Sequence, residues 1–154
     1  MQKTSAPIEQ MLVIVQPGKF AAGNVASSLK QKNVDALVPS LTERVPVVFS
    51  LNGVATRAAK AGSPPAVVTP AEHVLVITPT SATYNSKSGQ ELFVRAELRD
   101  PARAAALWQA DIRLATLGFG KFDNKVADDL SLQMLEKLRS DGIAKVSTGP
   151  LRTQ

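Results

Sequence analysis

Hydrophobic and polar positions recur with two different periods along this chain, and the change from one to the other marks its elements. From Glu91 to Arg99 the period is two. Leu92, Val94, Ala96 and Leu98 fall on one side, and Phe93, Arg95, Glu97 and Arg99 on the other. From Leu107 to Thr116 it is two again, with Trp108, Ala110, Ile112 and Leu114 set against Gln109, Asp111 and Arg113. Such alternation predicts strands buried on one face only. His73–Thr78 reads as a third strand, which residues 80–84 can extend past Pro79, and the three form an antiparallel meander. Met11–Val15 is apolar throughout, so it predicts a strand covered on both faces. Pro17-Gly18 ends it, and residues 54–58 read as a further short strand.

Two stretches follow the helical spacing of three and four. Residues 23–51 carry Val34, Leu37, Val38 and Leu41, then Val45, Val48 and Phe49. Pro39 and Pro46 each lack an N–H, so two helices or one bent helix are expected, with Pro39 able to open the second. Val47–Phe49 can also be read as a strand. Helix is preferred, because Asn52-Gly53 follows and Gly past the last turn is a common cap. The second helix runs from a cap at Asp123 to about Ser140, with Val126, Ala127, Leu130, Met134, Leu135 and Leu138 as its stripe. Lys137 and Arg139 suit its last turn and Gly142 stops it.

The order β-α-β-β-β-β-α predicts an α+β two-layer sandwich. A mixed sheet with an antiparallel meander is covered on one face by helices. A single domain over residues 1–144 and a frayed tail over 145–154 are expected. The segment 61–65 (AGSPP) reads as a loop within that domain.

Composition narrows the chemistry. The 154 residues contain no Cys and one His, which excludes thiolate nucleophiles, Cys-ligated metals and two-His metal sites. The chain carries 18 Lys+Arg against 13 Asp+Glu, a net +5. The basic residues are spread without a run of three, so nucleic acid is not the expected partner, although a basic RNA-binding domain is one alternative. No stretch approaches the roughly 18 apolar residues of a membrane span.

Each candidate site has a plainer reading beside it. His73 can act as a general base, or stand as a strand-end imidazole at the surface; no paired carboxylate is identifiable, and no G-x-S-x-G marks a hydrolase. Gly118, Gly120 and Lys121 can hold an anion before a helix N-terminus, or simply let the chain turn. Asp123, Asp128 and Asp129 suggest Mg²⁺, but a cap at Asp123 and acidic residues early in the helix explain them better. No metal or other cofactor is expected. The outward face of the meander carries Phe93, Arg95, Arg99 and Arg113, residue types enriched in protein interfaces.

Three local features carry a resemblance. They are residues 48–54 (VFSLNGV), residues 93–100 (FVRAELRD) followed by Ala106, Leu107 and Trp108, and residues 130–143 (LSLQMLEKLRSDGI). Together, over roughly residues 34–143, the chain resembles the small α/β domain of Gram-negative envelope lipoproteins. That type is seen in the N-terminal domain of TolB and in auxiliary lipoproteins of ABC transport systems. The resemblance implies a non-catalytic periplasmic adaptor or assembly component, often anchored by lipid at the outer membrane. No lipobox or signal-peptide core stands in these residues, so an anchor is expected only from a removed leader; a cytoplasmic location is the alternative. The expected function is protein binding through Phe93, Arg95, Arg99 and Arg113, with another envelope protein or a second copy as partner. The alternative from another class is a small-anion or nucleotide binder using Gly118–Lys121.

Overall fold

The computed structural model describes residues 8–16, 37–59, 72–85, 89–100, 105–114 and 124–153. Among these residues five strands and two helices appear in the expected order. They are β1 (Gln10–Val15), α1 (Leu37–Leu51), β2 (Ala55–Ala59), β3 (Glu72–Asn85), β4 (Gly89–Asp100), β5 (Ala105–Leu114) and α2 (Asn124–Ser140). The strands form one sheet in the order β2-β1-β3-β4-β5. β1 is parallel to both β2 and β3, whereas β3, β4 and β5 form the antiparallel meander. The loop expected at Gly118–Lys121, its cap Asp123 and the segment 61–65 lie outside the described residues.

The alternation of β4 and β5 sets the layers. Leu92, Val94, Ala96, Leu98, Trp108, Ile112 and Leu114 are buried in the core with Met11, Val13, Val15, Leu75 and Ile77. The helices cover that side. α1 packs on β1 and β2, and α2 packs on β5 and on α1. On the opposite side the sheet divides in two. Over β1 and β3 it is apolar, with Leu12 and Val76 buried outside the main core cluster. Over β4 and β5 it is charged.

α1 is one continuous helix that runs through Pro46, with Pro39 in its first turn and Val47–Phe49 helical, while the expected helical stretch 23–36 lies outside the described residues. The proline leaves the Thr42 carbonyl without its N–H partner, a cost of about 3 kcal/mol. The buried stripe of Leu37, Leu41, Val45, Val48 and Phe49 outweighs it, at about 1.5–3 kcal/mol for each fully buried side chain.

Both helices end in the same way. At α1 the Val54 N–H donates to the Phe49 carbonyl (3.0 Å) and the Gly53 N–H to that of Ser50 (3.4 Å). At α2 the Ile143 N–H donates to Leu138 (3.0 Å) and the Gly142 N–H to Arg139 (3.1 Å). These are Schellman motifs, with Gly53 at φ +98 and Gly142 at φ +69. A second constraint acts on Gly53, because a Cβ there would sit 2.8 Å from Ser147 Oγ.

That contact introduces the C-terminal segment, which the sequence pattern predicts to be frayed and which is instead tied down. Asn52 is 1% exposed and fastens it. Its Nδ2 donates to the carbonyls of Val48 (2.7 Å) and Arg152 (2.8 Å), while its Oδ1 accepts from the Arg152 N–H (2.9 Å). Its own carbonyl accepts from the Ser147 N–H (2.7 Å). Arg44 bridges α1 to α2 through Asp128 (2.7 Å) and also donates to the Thr153 carbonyl (2.8 Å). Arg139 donates to the carbonyls of Ser147 and Gly149. Near the N-terminal end of β1, Ile8 bridges in parallel to Ala144.

Replacing Asn52 by Ala removes three side-chain hydrogen bonds and leaves buried backbone groups unpaired, which costs about 1–3 kcal/mol for each unsatisfied group. Asn52→Ala is therefore expected to lower the urea midpoint and to speed hydrogen exchange at the Arg152 amide. A parent-like midpoint and exchange rate would show that the tail is not held in this way.

Candidate protein-binding face

Residues 91, 93, 95, 97 and 99 of β4 share the side of the sheet away from the helices. So do residues 109, 111 and 113 of β5, because the register pairs Phe93 with Arg113, Arg95 with Asp111 and Glu97 with Gln109. Arg99 lies at the far end, opposite Ala106, beyond a register shift that leaves Leu107 as an extra residue. The structure thus brings Phe93, Arg95 and Arg113 together, with Arg99 on the same face but two positions along the strand from Glu97.

None of the three arginines stands free. Arg95 Nε donates to Asp111 Oδ1 at 3.0 Å, and Arg99 Nε to Glu97 Oε1 at 2.7 Å. Arg113 makes a two-pronged contact with Glu91, Nε to Oε1 and Nη2 to Oε2, both at 2.9 Å. Three cations meet three carboxylates, and the face is locally neutral. Phe93 lies half-buried among them. The Asp111 hydrogen bond, seconded by its charge, raises the Arg95 pKa. The Glu91 hydrogen bond does the same for Arg113. Glu91 in turn is held below the usual carboxylate range, mainly by its hydrogen bonds from Arg113.

This geometry bears on the alternatives. A nucleic-acid backbone would have to displace three carboxylates to reach these arginines. Asp128 is engaged by Arg44, and among the described residues no cluster of three or more metal-ligating side chains occurs. Among them, too, no helix is long and apolar enough to cross a membrane. His73 is half-buried at the start of β3, and by alternation it lies on the helix side with Leu75 and Ile77. Its Nδ1 is buried without a hydrogen-bond partner. An open groove of about 600 Å³ runs beside Gly53, lined by Glu9, Gln10, Lys145 and Ser147 among others, with Lys145 Nζ 3.0 Å from Glu9. The anion loop Gly118, Gly120 and Lys121 lies outside the described residues.

Two pairings escape a reading of single strands. Glu91 finds Arg113 because it stands diagonal to it, two residues from the directly opposed Phe93. Trp108 Nε1 donates to Asp141 Oδ2 at 2.8 Å, tying β5 to the end of α2. Both partners belong to the motifs quoted above, but nothing local to either motif shows that they meet.

No family model matches the chain, and no curated protein matches it in sequence. Solved structures do share its architecture. A single-substitution variant of the PelC dodecamer from Paraburkholderia phytofirmans aligns at TM-score 0.54 and 16% identity, covering 94% of this chain and 96% of that one. A putative neuraminyllactose-binding hemagglutinin homolog from Helicobacter pylori aligns at 0.56 and 9% identity, covering 92% and 90%. A minor lipoprotein from Acinetobacter baumannii aligns at 0.49 and 14% identity, covering 94% and 98%. At such identities the likeness is one of fold. The PelC and hemagglutinin-homolog structures share with this chain the arrangement of a mixed sheet and helices, and so bear out the expected α+β fold.

The Glu91–Arg113 pair predicts an acid-sensitive contribution. Because the folded-state pKa of Glu91 is depressed, the pair stabilises the fold above the unfolded carboxylate pKa of about 4.3. That contribution is lost as pH falls through the lower folded value. Glu91→Gln should therefore show a smaller drop in urea midpoint between pH 7 and pH 3 than the parent. Identical drops would mean the pair contributes nothing.

Proposed function

We propose that the chain is a non-catalytic assembly module of the Gram-negative cell envelope, acting by protein–protein contact and forming homo-oligomers. The observation that carries this reading is the β4–β5 face. It is an ordered sheet surface on which Phe93 is framed by the arginines 95, 99 and 113, each already neutralised. Contact there buries an aromatic ring and guanidinium planes without stranding a bare charge. The fold shared with a dodecameric protein supports self-association. The likeness to solved envelope proteins supports a periplasmic or outer-membrane location.

Two measurements test it. In cells making the full-length protein, fractionation is expected to recover it with the envelope; recovery only from the cytosol would overturn the location. In native mass spectrometry and sedimentation, the chain is expected to form species larger than the monomer. Phe93→Ala combined with Arg95→Ala should weaken them at least tenfold while leaving circular dichroism unchanged. A double variant that assembles like the parent would remove this face from the reading.

A further inference from the structure

The two edges of the sheet are finished differently. β2 is only five residues long, and the Ser50 hydroxyl occupies its open side at Thr56. Ser50 Oγ donates to the Thr56 carbonyl (3.4 Å) and accepts from the Thr56 N–H (3.2 Å). β5 is ten residues long and has no proline. Among the described residues it pairs with β4 alone. Long flat edges invite another strand, and proteins usually blunt them. Here the extra residue at Leu107 bends only the first part of β5, leaving Gln109–Leu114 in unbroken register with β4.

The sequence of that straight part is self-complementary. When two copies of β5 are laid antiparallel about a two-fold axis at Ile112, Asp111 falls opposite Arg113 of the second copy, and Arg113 opposite its Asp111. On the other side Ala110 meets Leu114 and Ile112 meets itself, so the apolar layer continues across the axis. Shifting the axis to Asp111 or Arg113 puts a charge against its like. Shifting it to Ala110 leaves Asp111 opposite Gln109 and Arg113 opposite Leu107. Only the Ile112 register makes two ion pairs, and both residues are exposed and on one face. From this we propose that the β5 edge is the contact through which two copies of this chain join, extending the sheet across an isologous two-fold axis. The proposal rests on the self-association reading above and adds to the β4–β5 face a second, separate contact at the strand edge. Five paired residues make a small contact, so the affinity expected is on the order of tens of micromolar.

Sedimentation equilibrium on the parent, Asp111→Arg, Arg113→Asp and an equimolar mixture of the two variants tests it. Each variant alone sets like charges against each other twice, and association at least tenfold weaker than the parent's is expected. In the mixture the Arg at 111 faces the Asp at 113, and association should return. The intrachain partners Arg95 and Glu91 are also disturbed, so circular dichroism checks that the variants fold. Hydrogen exchange on the parent gives a readout without substitution, and amides within 110–114 should gain protection as concentration rises. Variants that associate like the parent, or amides indifferent to concentration, would refute the edge and leave self-association standing. A parent that stays monomeric at hundreds of micromolar would take both down.

Discussion

A strict period of two along β4 and β5 is the constraint on which the rest of the molecule depends. It commits every second side chain of two adjacent strands to one side, and among the described residues the apolar surface that meets them comes from α1 and α2. Once the helices occupy that side, the remaining side chains of the same strands must form a surface of their own. Six of them are charged, and cross-strand distances of a few ångströms force them to be ordered by sign. The core and the candidate binding face are thus two outcomes of one pattern, and a slip of register by one residue would destroy both.

The second organising contact is long in sequence and short in space. Asn52 follows α1 and grips the backbone of Arg152, one hundred residues later. Gly53 lets the gripped segment come close, through its left-handed backbone and its missing side chain. Together with Arg44, which reaches both α2 and Thr153, these residues close the helix layer from outside.

The sequence made much of this legible, because each legible element had a local cause. Alternation revealed β4 and β5 with their faces, and both glycine caps followed from their positions after an apolar stripe. What stayed hidden was non-local. Nothing in Met11–Val15 says that it lies between β2 and β3 and parallel to both. Pro46 argues locally against the single helix that five buried side chains impose. The Asn52 clamp acts on main-chain atoms, so the side chains of the tail carry no trace of it. On the candidate face, Phe93, Arg95, Arg99 and Arg113 were readable as neighbours. The neutralisation of Arg95 by Asp111 and of Arg113 by Glu91 needed the register between strands, whereas Glu97 stands two residues from Arg99 on the same strand.

The clamp has a mechanical meaning as well. Ile8 lies beside Ala144, and the chain beyond it is held by successive hydrogen bonds at Ser147, Gly149, Arg152 and Thr153. Tension applied at the C-terminus would load those bonds one after another, and through Arg44 and Arg139 it would bear on the helix layer before it bore on the meander. The domain is built to yield from its tail in small steps while the sheet stays whole.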